Sequence, residues 1–186
     1  VVDAASGAVG GVVGQLAKAR GCRAVGLAGG ADKCAYVKEE LGFDACIDHK
    51  AHRDFASLAA ALDRVAPNGV DGLFENVGGL ILDVVLSRMN AFGRITLCGM
   101  IASYDGAPMP ITNPRLLLTQ RLRLQGFIVS EHMHLWPQAL AELGEGVATR
   151  RIKYRETVAQ GLENAPEAFL GLLKGRNFGK QLVKLA

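Results

Sequence analysis

A tight turn between a strand and a helix constrains this chain more than any other feature. Val1-Val2-Asp3-Ala4-Ala5 reads as a strand and runs directly into Ser6-Gly7-Ala8-Val9-Gly10. After Gly7, apolar residues fall at Val9, Val12, Val13, Leu16 and Ala17, which is one face of a helix. Gly21 ends that helix, and Cys22 to Ala28 reads as a second, buried strand. A strand, a glycine turn, a helix and a second strand form a parallel unit with a right-handed crossover.

The same alternation continues. Cys34, Val37 and Leu41 mark a second helix, stopped by Gly42, and Asp44 to Asp48 a short strand. Phe55, Leu58, Ala59 and Leu62 give a third helix, closed by Pro67-Asn68-Gly69. Val70 to Glu75 is a strand, Leu82, Val85, Leu86 and Met89 a helical stripe, and Phe92 to Cys98 a strand. Residues 99–114 hold Gly106, Pro108, Pro110 and Pro114, a loop long enough to suggest a function. A short helix over 115–120, a strand over 122–129 and a helix from Trp136 to Val147 follow. Beyond these come a strand at 156–160, a helix capped by Asn164 with Glu167 as its box partner, and a strand over 179–185.

The expected fold is therefore α/β. It is a doubly wound parallel six-stranded sheet of the Rossmann kind, in the order 3-2-1-4-5-6. Residues 1–150 are expected to form the dinucleotide-binding domain. The last strand, helix and strand, over 151–186, are not needed by that sheet and are expected to return to a neighbouring domain. Because Val1 already lies inside a strand, the sequence reads as a piece of a longer chain. The composition is globular, with a formal net charge of +3 over 186 residues. That excess is too small to imply nucleic acid or a membrane surface as the main partner. No apolar stretch approaches the roughly 20 residues of a membrane helix, and no secretory pattern opens the chain, so the cytoplasm is the expected compartment. Cys22, Cys34, Cys46 and Cys98 lack ligand or framework spacing and are expected as buried free thiols. His132 and His134 are read as surface histidines rather than zinc ligands. No metal is expected.

The turn also carries chemistry. Gly7 lets the backbone approach a pyrophosphate, and Gly10 lets the helix pack on the strand. Ala8 and Val9 sit at the helix start, where unpaired N–H groups and the helix dipole favour an anion. A purely structural tight turn is the alternative. At the end of the second strand, Ala28-Gly29-Gly30-Ala31 offers no carboxylate for a ribose 2′-hydroxyl, and Lys33 follows within reach of a 2′-phosphate. NADP(H) is therefore the expected cofactor. Asp32 reads as a helix cap or first-turn carboxylate, and Lys33 is alternatively a solvated lysine.

Several stretches together resemble the zinc-independent medium-chain dehydrogenase/reductases. They are A-A-S-G-A-V-G-G-V-V-G-Q-L-A-K at 4–18, A-G-G-A-D-K-C at 28–34, E-E-L-G-F-D at 39–44, F-E-N-V-G-G at 74–79, F-G-R-I-T-L-C-G-M-I-A-S-Y at 92–104 and G-R-N-F-G-K at 175–180. The resemblance is strongest to the leukotriene hydroxydehydrogenase/prostaglandin reductase type, with alkenal and curcumin double-bond reductases. It implies NADPH-dependent reduction of the carbon–carbon double bond of enones and enals. It further implies that Gly7, Ala8, Val9 and Gly10 hold the pyrophosphate and Lys33 the 2′-phosphate. His49 stands where the family usually has a tyrosine at that phosphate, and can meet it protonated or, more weakly, neutral. Asn76, Cys98, Gly99, Met100, Ile101, Ala102, Ser103, Tyr104, Phe127, Ile128, Val129 and Asn177 are implied around the nicotinamide and ribose. The family's substrate domain is expected outside this sequence, so the chain alone is expected to bind NADPH but reduce enones poorly.

Hydride addition to the β-carbon leaves negative charge on the carbonyl oxygen, which needs a donor. The resemblance assigns that role to Tyr104, directly or through the ribose; packing on the cofactor is its alternative. Phenols keep their proton at neutral pH and can donate. A quinone reductase shares the same cofactor residues, and a non-catalytic nucleotide-binding module is a further alternative. A methyltransferase would usually show an acid at the second strand end. A homodimer is expected through an apolar edge strand at 122–129, with Leu122, Leu124, Phe127 and Val129 on it.

Overall fold

The computed structural model describes residues 1–104, 106 and 108–185. Its helices and strands alternate as α1 (Ala8–Ala19), β1 (Val25–Ala28), α2 (Ala31–Glu39), β2 (Ala45–Asp48), α3 (Phe55–Val65), β3 (Val70–Glu75), α4 (Gly79–Leu86), β4 (Met89–Leu97), α5 (Arg115–Thr119), β5 (Arg123–Gly126), α6 (Trp136–Ala148), β6 (Glu156–Gln160), α7 (Ala165–Leu173) and β7 (Lys180–Lys184). β1 pairs with β2, β3 with β4 and β4 with β5, all parallel.

The first residues join these pieces. Val2 bridges Gly26 on one side and Phe74 on the other. The Val2 and Ala5 N–H groups donate to the carbonyls of Val25 and Leu27, and the Phe74 N–H donates to the Val1 carbonyl. Across the sheet the order is therefore β2, β1, the first residues, β3, β4, β5, which is the expected 3-2-1-4-5-6. The first segment is shorter than a full strand, because Ala4 turns to φ 42°.

Buried residues from β1, β2, α3, β3, α4 and β4 make one core, and Val2, Ala5 and residues of α2 make a second. The helix α1 lies very close to the sheet. A methyl group built on Gly10 would stand 2.6 Å from the Ala4 carbonyl oxygen, and one on Gly14 would penetrate the Phe43 ring. α1 also holds the later chain. The buried Gln15 amide donates to the Lys153 carbonyl and accepts from the Lys153 N–H, both at 2.8 Å.

β6 and β7 form a parallel pair of their own, touching the rest at a bridge between Gly7 and Gly179. Several expectations are corrected. The strand expected over 122–129 is regular only at 123–126, because 3-10 turns take over from Val129. Asn164 does not cap α7 with its side chain. It ends a 3-10 turn, and its amide donates to the Gln160 carbonyl. Of the two readings of Asp32 the first-turn carboxylate holds, since Gly30 is the N-cap of α2. Cys22 and Cys98 are exposed rather than buried. Among the described residues, no helix is long and apolar enough to cross a membrane.

Candidate active site

Because the main strands run parallel, their carboxyl ends all open onto one edge of the sheet. The residues singled out in the sequence lie there, in two groups on either side of the Ser6–Gly7 turn.

The first group surrounds that turn and the ends of β1 and β2. Gly7 is the N-cap of α1, and no side chain caps the helix. The N–H groups of Ala8, Val9 and Gly10 are the first of the helix, left without intrahelical acceptors. A Cβ at Gly7 would sit 3.0 Å from the Ala4 carbonyl oxygen, so the turn accepts nothing larger without moving. Asn177 borders it: its amide donates to the Gly179 carbonyl, and the Gly179 N–H donates to Ser6.

Lys33 is not a solvated surface lysine. It is half-buried, its Nζ donates to the Gly175 carbonyl at 2.7 Å and stands 5.9 Å from the Phe178 ring centre. Burial, followed by the nearby charge of Lys50, lowers its pKa. His49 Nε2 and the Lys50 side chain both close on Gly29, within about 3 Å of where a Cβ would be. Burial lowers the His49 pKa, with Asp48 opposing and Lys50 and Lys33 adding to the effect. The neutral form of His49 is therefore favoured, and it offers a hydrogen bond rather than a charge. Asp48 Oδ1 already accepts from the Gly30 and Lys50 N–H groups. The sequence reading missed Lys50; its only signal was a second basic residue beside His49.

The second group lies beyond β3 and β4. The Cys98 and Gly99 N–H groups donate to the Glu75 carbonyl, Ile101 to Asn76 and Ala102 to Val77. This ladder wraps residues 98–104 around Asn76. The Ser103 hydroxyl donates to the Met100 carbonyl, and Met100 and Met109 cover Gly78. The Tyr104 hydroxyl lies 3.5 Å from a Cβ built on Gly99, with 64% of the residue exposed. Phe127 packs edge-on against Phe74, with centroids 6.3 Å apart, while Ile128 and Val129 are exposed.

Beneath Asn76 lies a pair of acids that sequence reasoning did not single out. Asp3 and Glu75 are fully buried. Asp3 accepts from the Asn76 N–H, the Asn76 amide and the Val77 N–H, and Glu75 Oε1 accepts from Val77 and Gly78. Burial, then contact with Asp3, pushes the Glu75 carboxyl up to about 9. A protonated Glu75 avoids a second buried charge beside Asp3, and the two acids together fix the turn that presents Asn76. The available signal was an acid within or ending an apolar strand run, Val1-Val2-Asp3-Ala4-Ala5 and Leu73-Phe74-Glu75.

The chain matches known proteins. The family model described as "Zinc-binding dehydrogenase" matches residues 8–145. The chain is 46% identical over 193 residues to "NADPH-dependent curcumin reductase" of Escherichia coli (strain K12), covering all of this chain and 55% of that protein. It is 43% identical over 187 residues to "Prostaglandin reductase 1" of Rattus norvegicus, covering 99% and 56%. The solved structure of CurA from Vibrio vulnificus in complex with NADPH superposes with a TM-score of 0.91 at 46% identity, over 100% of this chain and 56% of that one. The chain thus spans about half the length of the curated relatives it matches. Zinc, named in the family description, finds no fit: among the described residues no three His, Cys, Asp or Glu side chains gather. The His132 and His134 rings stand 6.2 Å apart without a third partner.

Proposed function

The chain belongs to the zinc-binding dehydrogenase family, and from that premise we propose that it forms the NADPH-binding part of a reductase of enone and enal double bonds. The observation that carries this reading is the arrangement at the carboxyl edge of the sheet. An uncapped helix N-terminus lies between a basic group at Gly29 and the Asn76–Tyr104 arc, at the switch point where such sheets bind dinucleotides. Relatives named as curcumin, 2-alkenal and prostaglandin reductases support the reaction class.

In this reading Gly7 to Gly10 hold the pyrophosphate, while Lys33 and His49 hold the 2′-phosphate. Asn76, residues 98–104, residues 127–129 and Asn177 border the nicotinamide and ribose. When bound, the nicotinamide supplies a hydride to the carbon β to a carbonyl. Tyr104 donates a hydrogen bond to the carbonyl oxygen as charge gathers there, and Asn76 orients the reacting groups from its turn over Asp3 and Glu75. Residues 1–150 act as the cofactor unit. Residues 151–186 carry the exposed apolar side chains of Val158, Phe169, Leu170 and Leu173, which suit cover by a substrate domain. Among the described residues β5 pairs only with β4, and Ile128, Val129, Met133 and Leu140 are exposed nearby, so we assign the homodimer interface to this edge. Light scattering showing a monomer at working concentration overturns that assignment. Unpaired thiols suit a reducing compartment, and the cytoplasm is the compartment proposed.

The test is a cofactor titration joined to turnover. NADPH should bind more tightly than NADH. A charge-assisted contact contributes roughly 1.5–3 kcal/mol, so Lys33→Ala should weaken NADPH by about one to two decades and leave NADH nearly unchanged. In the full protein, Tyr104→Phe should lower enal reduction by about 10²-fold with little change in the KM for NADPH. Equal affinity for the two cofactors, or faster turnover of a quinone than of any enal, refutes the reading.

A further inference from the structure

We propose that Cys34 and Cys46 form an oxidisable dithiol that hydroperoxides close to an intramolecular disulfide.

The observation is a direct contact between two thiols that nothing in the proposed reaction uses. Cys34 lies in the first turns of α2 and Cys46 on β2, and their sulfur atoms are 3.1 Å apart. A disulfide needs about 2.05 Å, so closure requires roughly 1 Å of movement between two neighbouring elements. Cys34 is buried in the smaller core, and Cys46 is packed against that core, so the pair is held together rather than meeting by chance. By contrast, Cys22 and Cys98 are exposed.

The two sulfurs are not equivalent. The Cys46 thiol donates to Cys34, which holds Cys34 below the ordinary thiol range and pushes Cys46 above it. A position near a helix N-terminus further favours thiolate at Cys34. Cys34 is thus the nucleophile and Cys46 the resolving thiol. The Cys34 sulfur attacks the terminal oxygen of the hydroperoxide. An S–O bond forms, the O–O bond breaks, and an alcohol leaves with the thiol proton, or water when the oxidant is hydrogen peroxide. The Cys46 sulfur then attacks the Cys34 sulfur. The S–S bond forms, the S–O bond breaks, and water leaves with the Cys46 proton. Two electrons pass from the thiols to the peroxide, and a dithiol reductant returns them. The bond would tie α2, which carries Lys33, to β2, which ends beside His49. The inference itself rests on the sulfur pair and not on the cofactor reading.

The experiment uses the chain in a Cys22→Ser/Cys98→Ser background. It is reduced, freed of reductant, exposed to hydrogen peroxide, then denatured and alkylated before peptide mass analysis. The expected product joins the Cys34 and Cys46 peptides with the loss of two hydrogens. It should return to two alkylatable thiols with dithiothreitol, and no disulfide should join separate chains on a denaturing gel. In Cys46→Ser, a substitution of nearly the same shape, Cys34 should be captured as a sulfenic acid by dimedone. The proposal is overturned if both thiols stay alkylatable at peroxide levels that oxidise the exposed cysteines of the parent, or if Cys34 oxidises straight to sulfinic acid with Cys46 still free. It is also overturned if the only disulfides join separate chains.

Discussion

β1 and β5 are both four residues long and both belong to the main parallel sheet, yet they meet opposite surroundings. All of β1 is buried, whereas β5 has only Leu124 half-buried. The helices repeat the contrast. α1 lies on the sheet through Gly10, Gly11 and Gly14, all buried, while α7 exposes Phe169, Leu170 and Leu173. The difference shows that the chain seals the first half of its sheet by itself and leaves apolar surface open in its last third. Lys33, His49 and Asn76 sit on the sealed part, whereas Tyr104, Ile128 and Val129, also proposed at the cofactor, are exposed.

Three measurements can break or sharpen this comparison. The largest effect is expected at Glu75. Its folded carboxyl titrates near 9, against an ordinary value of 4.5. The folded state therefore keeps a proton that the unfolded chain releases. The contribution is fully present below about pH 4.5 and is lost as pH rises toward 9, by up to roughly tenfold in the unfolding equilibrium per pH unit. Glu75→Gln keeps a neutral group at that place and should remove this loss. The stability of the variant relative to the parent should climb steadily between pH 5 and pH 9 in urea titrations, and a constant difference refutes the buried acid pair. In the open part, replacing the exposed Glu167 by Gln should change stability by less than about 0.5 kcal/mol.

Truncation of leucines comes next. Leu27 is 1% exposed and Leu118 is 78% exposed. Leu27→Ala should cost about 2–5 kcal/mol, and Leu118→Ala less than about 0.5 kcal/mol. Similar costs at the two sites would show that the open surface is covered in solution.

The smallest effect compares two helix glycines. A methyl at Gly14 would lie 1.7 Å from the Phe43 ring, whereas one at Gly144 in α6 meets nothing within 4 Å. Gly14→Ala should destabilise by about 1–3 kcal/mol through overpacking. Gly144→Ala should stabilise by about 0.5–1 kcal/mol through the lower entropy of the unfolded chain. Thermal unfolding resolves the two signs, and a shared sign contradicts the contrast.

The alternation of strands and helices was legible because periodicity is local. A strand covered on both faces is a short apolar run, and a helix lying on a sheet is an apolar stripe; neither depends on distant residues. The Ser6–Gly10 turn was legible for the same reason, since Gly10 is required by a carbonyl only six residues back. Charge at the ends of strands was partly legible: Ala28 to Ala31 holds no acid, but the structure brings the Asp48 carboxylate to the Gly30 N–H. Boundaries were less legible. The expected strand over 122–129 gave way after Gly126, and Asn164 turned its amide to Gln160 rather than to the helix. In both places a local competitor, a 3-10 turn, satisfied the backbone equally well.

Local periodicity by itself determined the parallel sheet and the strand–turn–helix at Ser6–Gly10, whereas most of the residues expected at the open edge came from the resemblance to a family. Only the tertiary structure decided what those residues touch. Lys33 reaches Gly175 across 142 positions, Gln15 grips Lys153 across 138, and Asp3 holds Asn76 across 73. Right-handed crossovers in a parallel sheet bring strand ends together irrespective of their separation in sequence. A contact between two such ends therefore leaves no trace in the spacing around either one. The buried Asp3–Glu75 pair and the Cys34–Cys46 pair arise in this way, from side chains unremarkable where they stand and consequential only where the fold makes them meet.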